Sequence, residues 1–244
     1  KFARDRKIAI TTHMGTDAER VKKRQGIQTL AKAGLLGPDV LLIHVTNNSP
    51  EDLKLLAETK TAVSLSPYTE LRTGFGITPV NDFLKAGVPV SVSVDTTILS
   101  GNADMLAIMK AIENIADGRA VSEYAISSQR VLEMATIDGA RALGLADRTG
   151  SLTPGKRADF LLVRTTDVNM IPFTSPTRML VQSAQPSNID SVVVDGRFLK
   201  QDGKLTTVDV AKLGRDAADT IERARQEASK PGAGEGVRSL FTAH

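Results

Sequence analysis

The sequence is 244 residues long, and its 41% hydrophobic and 24% charged residues are ordinary for a globular protein and unlike a disordered one. The net charge is only +3, and two tyrosines without any tryptophan offer few stacking partners, so we expect no nucleic-acid partner. Because cysteine is absent, disulfides and cysteine-bound zinc are excluded. No apolar run approaches the ~18 residues of a membrane span, so we expect no membrane partner and a cytoplasmic location.

The first half of the chain alternates between strand-like and helix-like patterns. Apolar or β-branched runs predict buried strands at residues 7–13, 39–45, 61–66 and 88–95. Helical spacing and capping signals predict helices at 17–34, from Ser49-Pro50 onward, at about 78–86 and at about 103–116, with a loop at 67–76. Apolar strands that alternate with helices are typical of a parallel sheet covered by helices.

The pattern changes after one or two helices predicted at 126–143. Short strand-like segments at 158–164, 177–184 and 190–199, with a turn at 202–203, predict a small β-rich domain. We therefore divide the chain into an α/β unit at 1–147, β-rich strands at 148–206, an amphipathic C-terminal helix at 207–230 and a flexible tail at 231–244.

Four β/α units are too few to close a barrel. A (β/α)8 barrel takes about 250 residues, and four parallel strands alone would leave two open edges. The predicted fold class is therefore α/β, with half of a (β/α)8 TIM-type barrel followed by the β-rich strands and the C-terminal helix. The partner half of the barrel is expected to lie outside this sequence.

Metal-competent side chains stand where three of the predicted strands end. His13 and His44 end the first two strands, Asp95 ends the fourth, and the remaining histidine is His244. Polar groups at the carboxyl ends of parallel strands build the active site of a barrel, and imidazole and carboxylate both bind zinc. The pattern favours a metal-dependent hydrolase. The structural alternatives are that His13 and His44 are core histidines and that Asp95 caps a helix.

Three motifs together resemble the C-terminal half of the amidohydrolase superfamily. The similar branch is that of the cytosine and guanine deaminases and the triazine chlorohydrolases. The strongest is the run from Gly150 to Phe160 (GSLTPGKRADF), which resembles the entry into that family's β-sandwich domain. Val192–Arg197 (VVVDGR) resembles a return strand of that domain, and Ala135–Gly144 resembles the helix before it. The resemblance covers roughly residues 7–206.

The resemblance implies that the four strands are the fifth to eighth of the barrel. It assigns His13 as a metal ligand, His44 as a ligand or hydrogen-bonding group at the reaction centre, and Asp95 as a metal ligand that also moves protons. The family's His-x-His pair would lie upstream of Lys1. The implied cofactor is a divalent metal, zinc first, with iron or manganese as alternatives because this donor set discriminates weakly.

One position departs from the deaminase pattern. Many relatives place a glutamate three residues after the fifth-strand histidine, whereas this sequence has Thr16 there. A hydroxyl cannot replace a carboxylate as a proton relay near neutral pH. Glu70 is the first candidate to compensate, by binding substrate, with a salt bridge to Arg72 as its alternative; Glu19 is expected to be only an acid in the first turn of a helix.

The predicted function is hydrolysis of a C–N or C–Cl bond in a small heterocyclic or amide substrate by a metal-activated hydroxide. The alternative is a catalytically incomplete half-barrel that acts as a binding or assembly module. The expected partners are a small-molecule substrate, the missing N-terminal half of the barrel and further copies of the chain in a homo-oligomer.

Overall fold

A computed structural model describes residues 2–230 of the protein. The predicted tail at 231–244 lies outside the described residues. Within the described part, one parallel sheet is covered by helices and is followed by an antiparallel sheet. In that same part, no helix is both long enough and apolar enough to cross a membrane.

The parallel sheet has the four strands that the sequence predicts. They are β1 (Ile10–Met14), β2 (Val40–His44), β3 (Ala62–Leu65) and β4 (Val90–Val92). Their order in the sheet is β1-β2-β3-β4, and every pair is parallel. Parallel neighbours require a crossover connection, which is why helices follow each strand. The carboxyl ends of all four strands therefore meet at one edge.

The helices of residues 2–230 mostly fall where helical spacing predicts them. They are α1 (Phe2–Asp5), α2 (Ala18–Arg24), α3 (Gly26–Lys32), α4 (Pro50–Thr59), α5 (Pro67–Arg72), α6 (Val80–Ala86), α7 (Thr97–Ser100), α8 (Met105–Ala120), α9 (Ser128–Ala135), α10 (Ile137–Ala142), α11 (Pro176–Gln182) and α12 (Val210–Ser229). The predicted helix at 17–34 is divided into α2 and α3, because Gln25 adopts a left-handed φ of 45°.

Two predicted elements have a different secondary structure from the one expected. Residues 67–76 are not all loop, because α5 begins with Pro67 at its first position, where proline is favoured. Residues 177–184 are not a strand, because 177–182 belong to α11, whose Val181 is only 1% exposed. A short apolar run does not by itself distinguish a strand from a buried helix face, and packing against α8 and α9 selects the helix here.

The hydrophobic core lies between β2–β4 and the helices on their outer side. Leu42, Val63, Leu65, Phe83 and Ile112 are completely buried in it. Burial of such side chains stabilises a fold by roughly 1.5–3 kcal/mol each relative to exposure.

Strand β1 does not match the predicted buried strand. Its three central residues, Thr11, Thr12 and His13, are exposed. Among the described strands β1 pairs only with β2, so it forms one edge of the sheet. The strand at the other edge, β4, is buried because α9 and α10 pack against it, whereas no helix of the described residues packs comparably against β1.

The antiparallel sheet follows the helical region. Its strands are β5 (Phe160–Val163), β6 (Ile189–Val194), β7 (Arg197–Gln201) and β8 (Lys204–Leu205), in that order. The predicted turn at 202–203 joins β7 to β8. The segment at 190–199, predicted as a single strand-like segment, is instead divided between β6 and β7, which pair antiparallel across a turn at 195–196. The C-terminal helix is confirmed as α12, most of which is exposed. The boundaries of the four segments set from the sequence stay a prediction.

Candidate active site

The side chains predicted to form the site stand at the carboxyl edge of the parallel sheet. His13 and His44 lie at the ends of the neighbouring strands β1 and β2, and Asp95 follows β4. The ring centroids of His13 and His44 are 5.4 Å apart. Nε2 of His44 lies 3.9 Å from Oδ2 of Asp95. The structure therefore brings His44 beside both of the other groups.

The environments of the three groups differ. His44 is 1% exposed, the side chain of Asp95 is 23% exposed, and His13 is open to solvent. The structure does not support the alternative roles of His13 and Asp95. His13 is exposed and so is not a core histidine, and the N-cap of α7 is Thr96 rather than Asp95.

The backbone is strained at the ends of two strands. His44, Val45 and Asp95 have left-handed φ values of 72°, 51° and 56°. Such conformations cost of order 1–3 kcal/mol each and concentrate at functional sites. In a regular pleat His44 and Ile43 would point to opposite faces, and Ile43 is the residue paired with His13. The left-handed turn at His44 breaks that alternation, and its ring lies near that of His13.

Glu70 lies behind His44, away from solvent. Its side chain is fully buried, and its Oε1 is 3.2 Å from Nδ1 of His44. Oε1 also accepts a hydrogen bond of 2.7 Å from the backbone N–H of Ser66, and Oε2 accepts one from the hydroxyl of Thr78. Its partners in the described chain thus do not include Arg72. The predicted contact of Glu70 with substrate stays a prediction.

Sequence reasoning missed two residues that shape this region. The ring of Phe75 meets that of His44 edge-on, with centroids 5.3 Å apart. The side-chain amide of Asn47 donates to the backbone carbonyls of Gly15 and Phe75, at 3.2 Å and 2.9 Å. The sequence offered one weak signal for each: Asn47 closely follows the predicted strand at 39–45, and Phe75 lies five residues after Glu70.

Two acidic residues, Asp17 and Glu19, lie close in the chain to the position that departs from the deaminase pattern. Asp17 is the N-cap of α2, where its carboxylate accepts a hydrogen bond of 2.8 Å from the backbone N–H of Arg20. Thr16 is half-buried in the segment between β1 and α2. Glu19 is exposed and pairs with Lys22 at 3.2 Å in the first turn of α2, as predicted.

The donor types at this edge fit zinc, but their number is incomplete. A catalytic zinc site uses about three protein ligands and one open position. Two imidazoles and one carboxylate stand near one another here, and His44 already has Glu70 on its Nδ1. Within residues 2–230, no group of three or more acidic or histidine side chains is arranged to hold a metal ion.

Comparison with known proteins identifies the family. The model of the Amidohydrolase family matches residues 1–199, so the chain belongs to the amidohydrolase family. It is 34% identical over 200 residues to 5-methylthioadenosine/S-adenosylhomocysteine deaminase of Moorella thermoacetica, which covers 81% of this chain and 47% of that protein. It is 31% identical over 202 residues to 5'-deoxyadenosine deaminase of Methanobrevibacter smithii, with 82% and 46% covered. The chain spans about half the length of the curated relatives it matches.

Solved structures confirm the fold. An adenosine deaminase from Xanthomonas campestris with bound zinc superposes with a TM-score of 0.87 at 24% identity, covering 91% of this chain and 52% of that one. Atrazine chlorohydrolase from Arthrobacter aurescens complexed with zinc gives 0.82 at 23% identity, with 90% and 50% covered. The predicted fold class is confirmed: α/β, with four β/α units of a TIM-type barrel followed by an antiparallel sheet.

Proposed function

We propose that this chain supplies half of the active site of a metal-dependent amidohydrolase that hydrolyses a C–N bond of a small aminated heterocycle. The observation that carries this proposal is the grouping of His13, His44 and Asp95 at the carboxyl edge of the parallel sheet. Membership of the amidohydrolase family supports it, as do relatives named as deaminases.

Each residue has a distinct role in this proposal. The exposed imidazole of His13 and the carboxylate of Asp95 would hold zinc together with histidines from outside this chain, and iron or manganese would suit the same donors. Bound zinc lowers the pKa of water to about 7 and so supplies hydroxide. Asp95 would accept and return protons, and the ring of His44, with its Nε2 3.9 Å from Oδ2 of Asp95, would hold the substrate by a hydrogen bond.

The substrate class rests on the relatives and on Thr16. The named relatives include deaminases of adenosine-type nucleosides, whereas one structural neighbour is a chlorohydrolase. A threonine at position 16 removes the carboxylate that the deaminase pattern places there, which keeps C–Cl hydrolysis as the competing reaction.

Homo-oligomer formation and a cytoplasmic location stay predictions.

Zinc binding tests the ligand assignment. We expect the metal-free whole protein that contains this sequence to bind zinc in competition with a chromophoric chelator, and His13→Ala and Asp95→Ala each to weaken binding at least about tenfold. Asp5→Asn, an exposed substitution on α1, serves as the control and should leave the affinity unchanged. Equal affinity in all four proteins would remove His13 and Asp95 from the ligand set.

An activity screen tests the reaction. The whole protein that contains this sequence is incubated with adenosine-type nucleosides and with chlorotriazines, and released ammonia and chloride are measured. We expect ammonia release that is abolished by Asp95→Ala. Chloride release without ammonia would replace the proposed C–N chemistry with C–Cl chemistry.

A second candidate is an assembly module without its own activity. Exposure of the middle of β1 at the edge of the sheet favours it, because unpaired strand edges recruit further strands. Light scattering after gel filtration separates the two candidates when combined with the zinc titration. Strong self-association without zinc binding favours assembly.

A further inference from the structure

The buried pair of His44 and Glu70 sets the proton position on the imidazole. Nδ1 of His44 and Oε1 of Glu70 are 3.2 Å apart, and the two side chains are 2% and 0% exposed. A carboxylate oxygen can only accept a hydrogen bond. Nδ1 must therefore carry the proton that joins the two groups.

The carboxylate of Glu70 is itself fixed in place. The backbone N–H of Ser66 donates to Oε1 at 2.7 Å, and the hydroxyl of Thr78 donates to Oε2. Both donors are buried, and α5 starts directly after Ser66. Rotation of the carboxylate would break both bonds in a place that water does not reach, which is costly. Glu70 is consequently a rigid acceptor.

The opposite nitrogen of the ring faces the sheet edge. Nε2 lies 3.9 Å from Oδ2 of Asp95, which is too long for a hydrogen bond. Phe75 closes one side of the ring at a centroid distance of 5.3 Å. With its proton committed to Glu70 through Nδ1, neutral His44 presents an unshared electron pair on Nε2 toward Asp95.

We infer that Glu70 is a positioning residue that holds His44 in the Nδ1–H tautomer and so makes Nε2 an acceptor at the candidate active site. The use of Nε2 in a reaction rests on the proposed function, whereas the tautomer does not. In this role Glu70 acts on the substrate through His44 rather than by touching it. A hydroxyl or amino hydrogen of the substrate, or of a water, is the kind of donor that Nε2 would bind.

Nitrogen NMR of the histidines tests the tautomer directly. Chain labelled with 15N-histidine is treated with chelator and measured near pH 8.5, about two units above the ordinary imidazole pKa of about 6.5. His44→Asn identifies the signals of His44 by their loss. We expect a pyrrole-type Nδ1 and a pyridine-type Nε2 for His44. A pyrrole-type Nε2 in the unsubstituted chain overturns the inference.

Two substitutions at position 70 separate positioning from simple filling of space. Glu70→Gln keeps a carbonyl oxygen for Ser66 and His44 and turns its amide toward Thr78, so the tautomer should persist. In this variant the NMR signal of the Nδ1–H proton of His44 should move upfield, because a neutral acceptor makes a weaker hydrogen bond than a carboxylate. Glu70→Leu removes the acceptor and should abolish the preference for Nδ1–H.

The control is Glu113→Gln, which alters another buried carboxylate. Glu113 lies on α8 and accepts a hydrogen bond of 3.1 Å from the hydroxyl of Ser128. The substitution should leave the His44 signals unchanged. If Glu70→Leu does not fold, the unsubstituted chain and Glu70→Gln still decide the matter. An unchanged Nδ1–H shift in Glu70→Gln contradicts the inference.

The outcome is independent of catalysis, because no metal or substrate is present. If the chain shows the Nδ1–H tautomer while the whole protein that contains it binds no zinc and turns over nothing, only the proposed function is refuted. A chain that binds zinc through His13 and Asp95 but shows the Nε2–H tautomer refutes only the role of Glu70.

Discussion

The ring of Phe75 meets the ring of His44 edge-on, with centroids 5.3 Å apart and planes inclined at 67°. Such pairs contribute about 0.5–1.5 kcal/mol beyond the area that they bury. Phe75 reaches this position because its backbone N–H bonds to the carbonyl of Glu70 at the end of α5. One short segment therefore supplies both the acceptor for His44 and the aromatic wall beside it.

Replacement of Phe75 should loosen His44. We expect Phe75→Leu to lower the free energy of unfolding by roughly 1–2 kcal/mol, as measured by urea denaturation. The ring protons of His44 should also shift in the NMR spectrum, because the aromatic ring current is lost. Phe198→Leu, at a half-exposed position on β7, is the control and should leave these protons unmoved. Unchanged His44 shifts in Phe75→Leu would show that the two rings do not touch in solution.

Asn47 should be intolerant of aspartate. Its amide donates to the carbonyls of Gly15 and Phe75, and a carboxylate could not donate to either. We expect Asn47→Asp to cost roughly 2–3 kcal/mol of stability at neutral pH, as measured by chemical denaturation. Asn102→Asp is the matched control, because the Asn102 side chain accepts from the N–H of Asp104 and aspartate can do the same. Similar losses for both variants would argue against a bridging role for Asn47.

Asp39 should make part of the stability depend on acid. Hydrogen bonds from the Arg4 guanidinium, at 2.7 Å and 3.2 Å, hold the pKa of the Asp39 carboxyl below its usual range. A carboxyl whose pKa is lowered by folding contributes stability above its unfolded pKa of about 3.9 and loses that contribution as the pH falls through the folded value.

The corresponding variant is Asp39→Asn. The unfolding free energy should then change less steeply between roughly pH 5 and pH 2 than it does in the unsubstituted protein. Asp5→Asn, which alters an exposed carboxyl on α1, provides the comparison. A slope as steep as that of the unsubstituted protein would mean that the pair does not form in solution.

Lys60 offers a stabilising substitution. It ends α4 in a left-handed conformation with φ of 55°, and its side chain is exposed. Because glycine adopts this conformation without the penalty of a Cβ atom, Lys60→Gly should raise stability by about 0.5–1 kcal/mol. Thermal unfolding should show an increase of a few degrees. Lys54→Gly, inside the same helix, should instead cost about 1 kcal/mol, and a loss of equal size in both variants would contradict the argument.

The parts of the fold that were predicted correctly rest on local signals. β2, β3 and β4 are mostly apolar and are buried on both faces, and Ser49 with Pro50 marks the start of α4, where Ser49 and Asp52 form a capping box. The rule that functional groups follow parallel strands located His44 and Asp95. These features depend on residues adjacent in the chain or on a simple periodicity.

The parts that failed depend on distant neighbours. Whether an edge strand such as β1 is buried is decided by the helices that cover it, as α9 and α10 cover β4, and its own residues carry no information about them. The helix at α11 is selected by packing against α8 and α9. The pairing of His44 with Glu70 joins two elements and depends on where α5 begins, so the sequence alone did not predict it and offered a salt bridge with Arg72 that the described residues do not form.

The order of strands in the parallel sheet equals their order in the chain, since each of β1 to β3 pairs with the strand that follows it. No strand has to wait for a distant segment before it can find its neighbour. Low sequence separation between contacting segments speeds folding, and chains fold from the N-terminus as they are synthesised. The sheet can therefore be assembled one β/α unit at a time as the polypeptide leaves the ribosome.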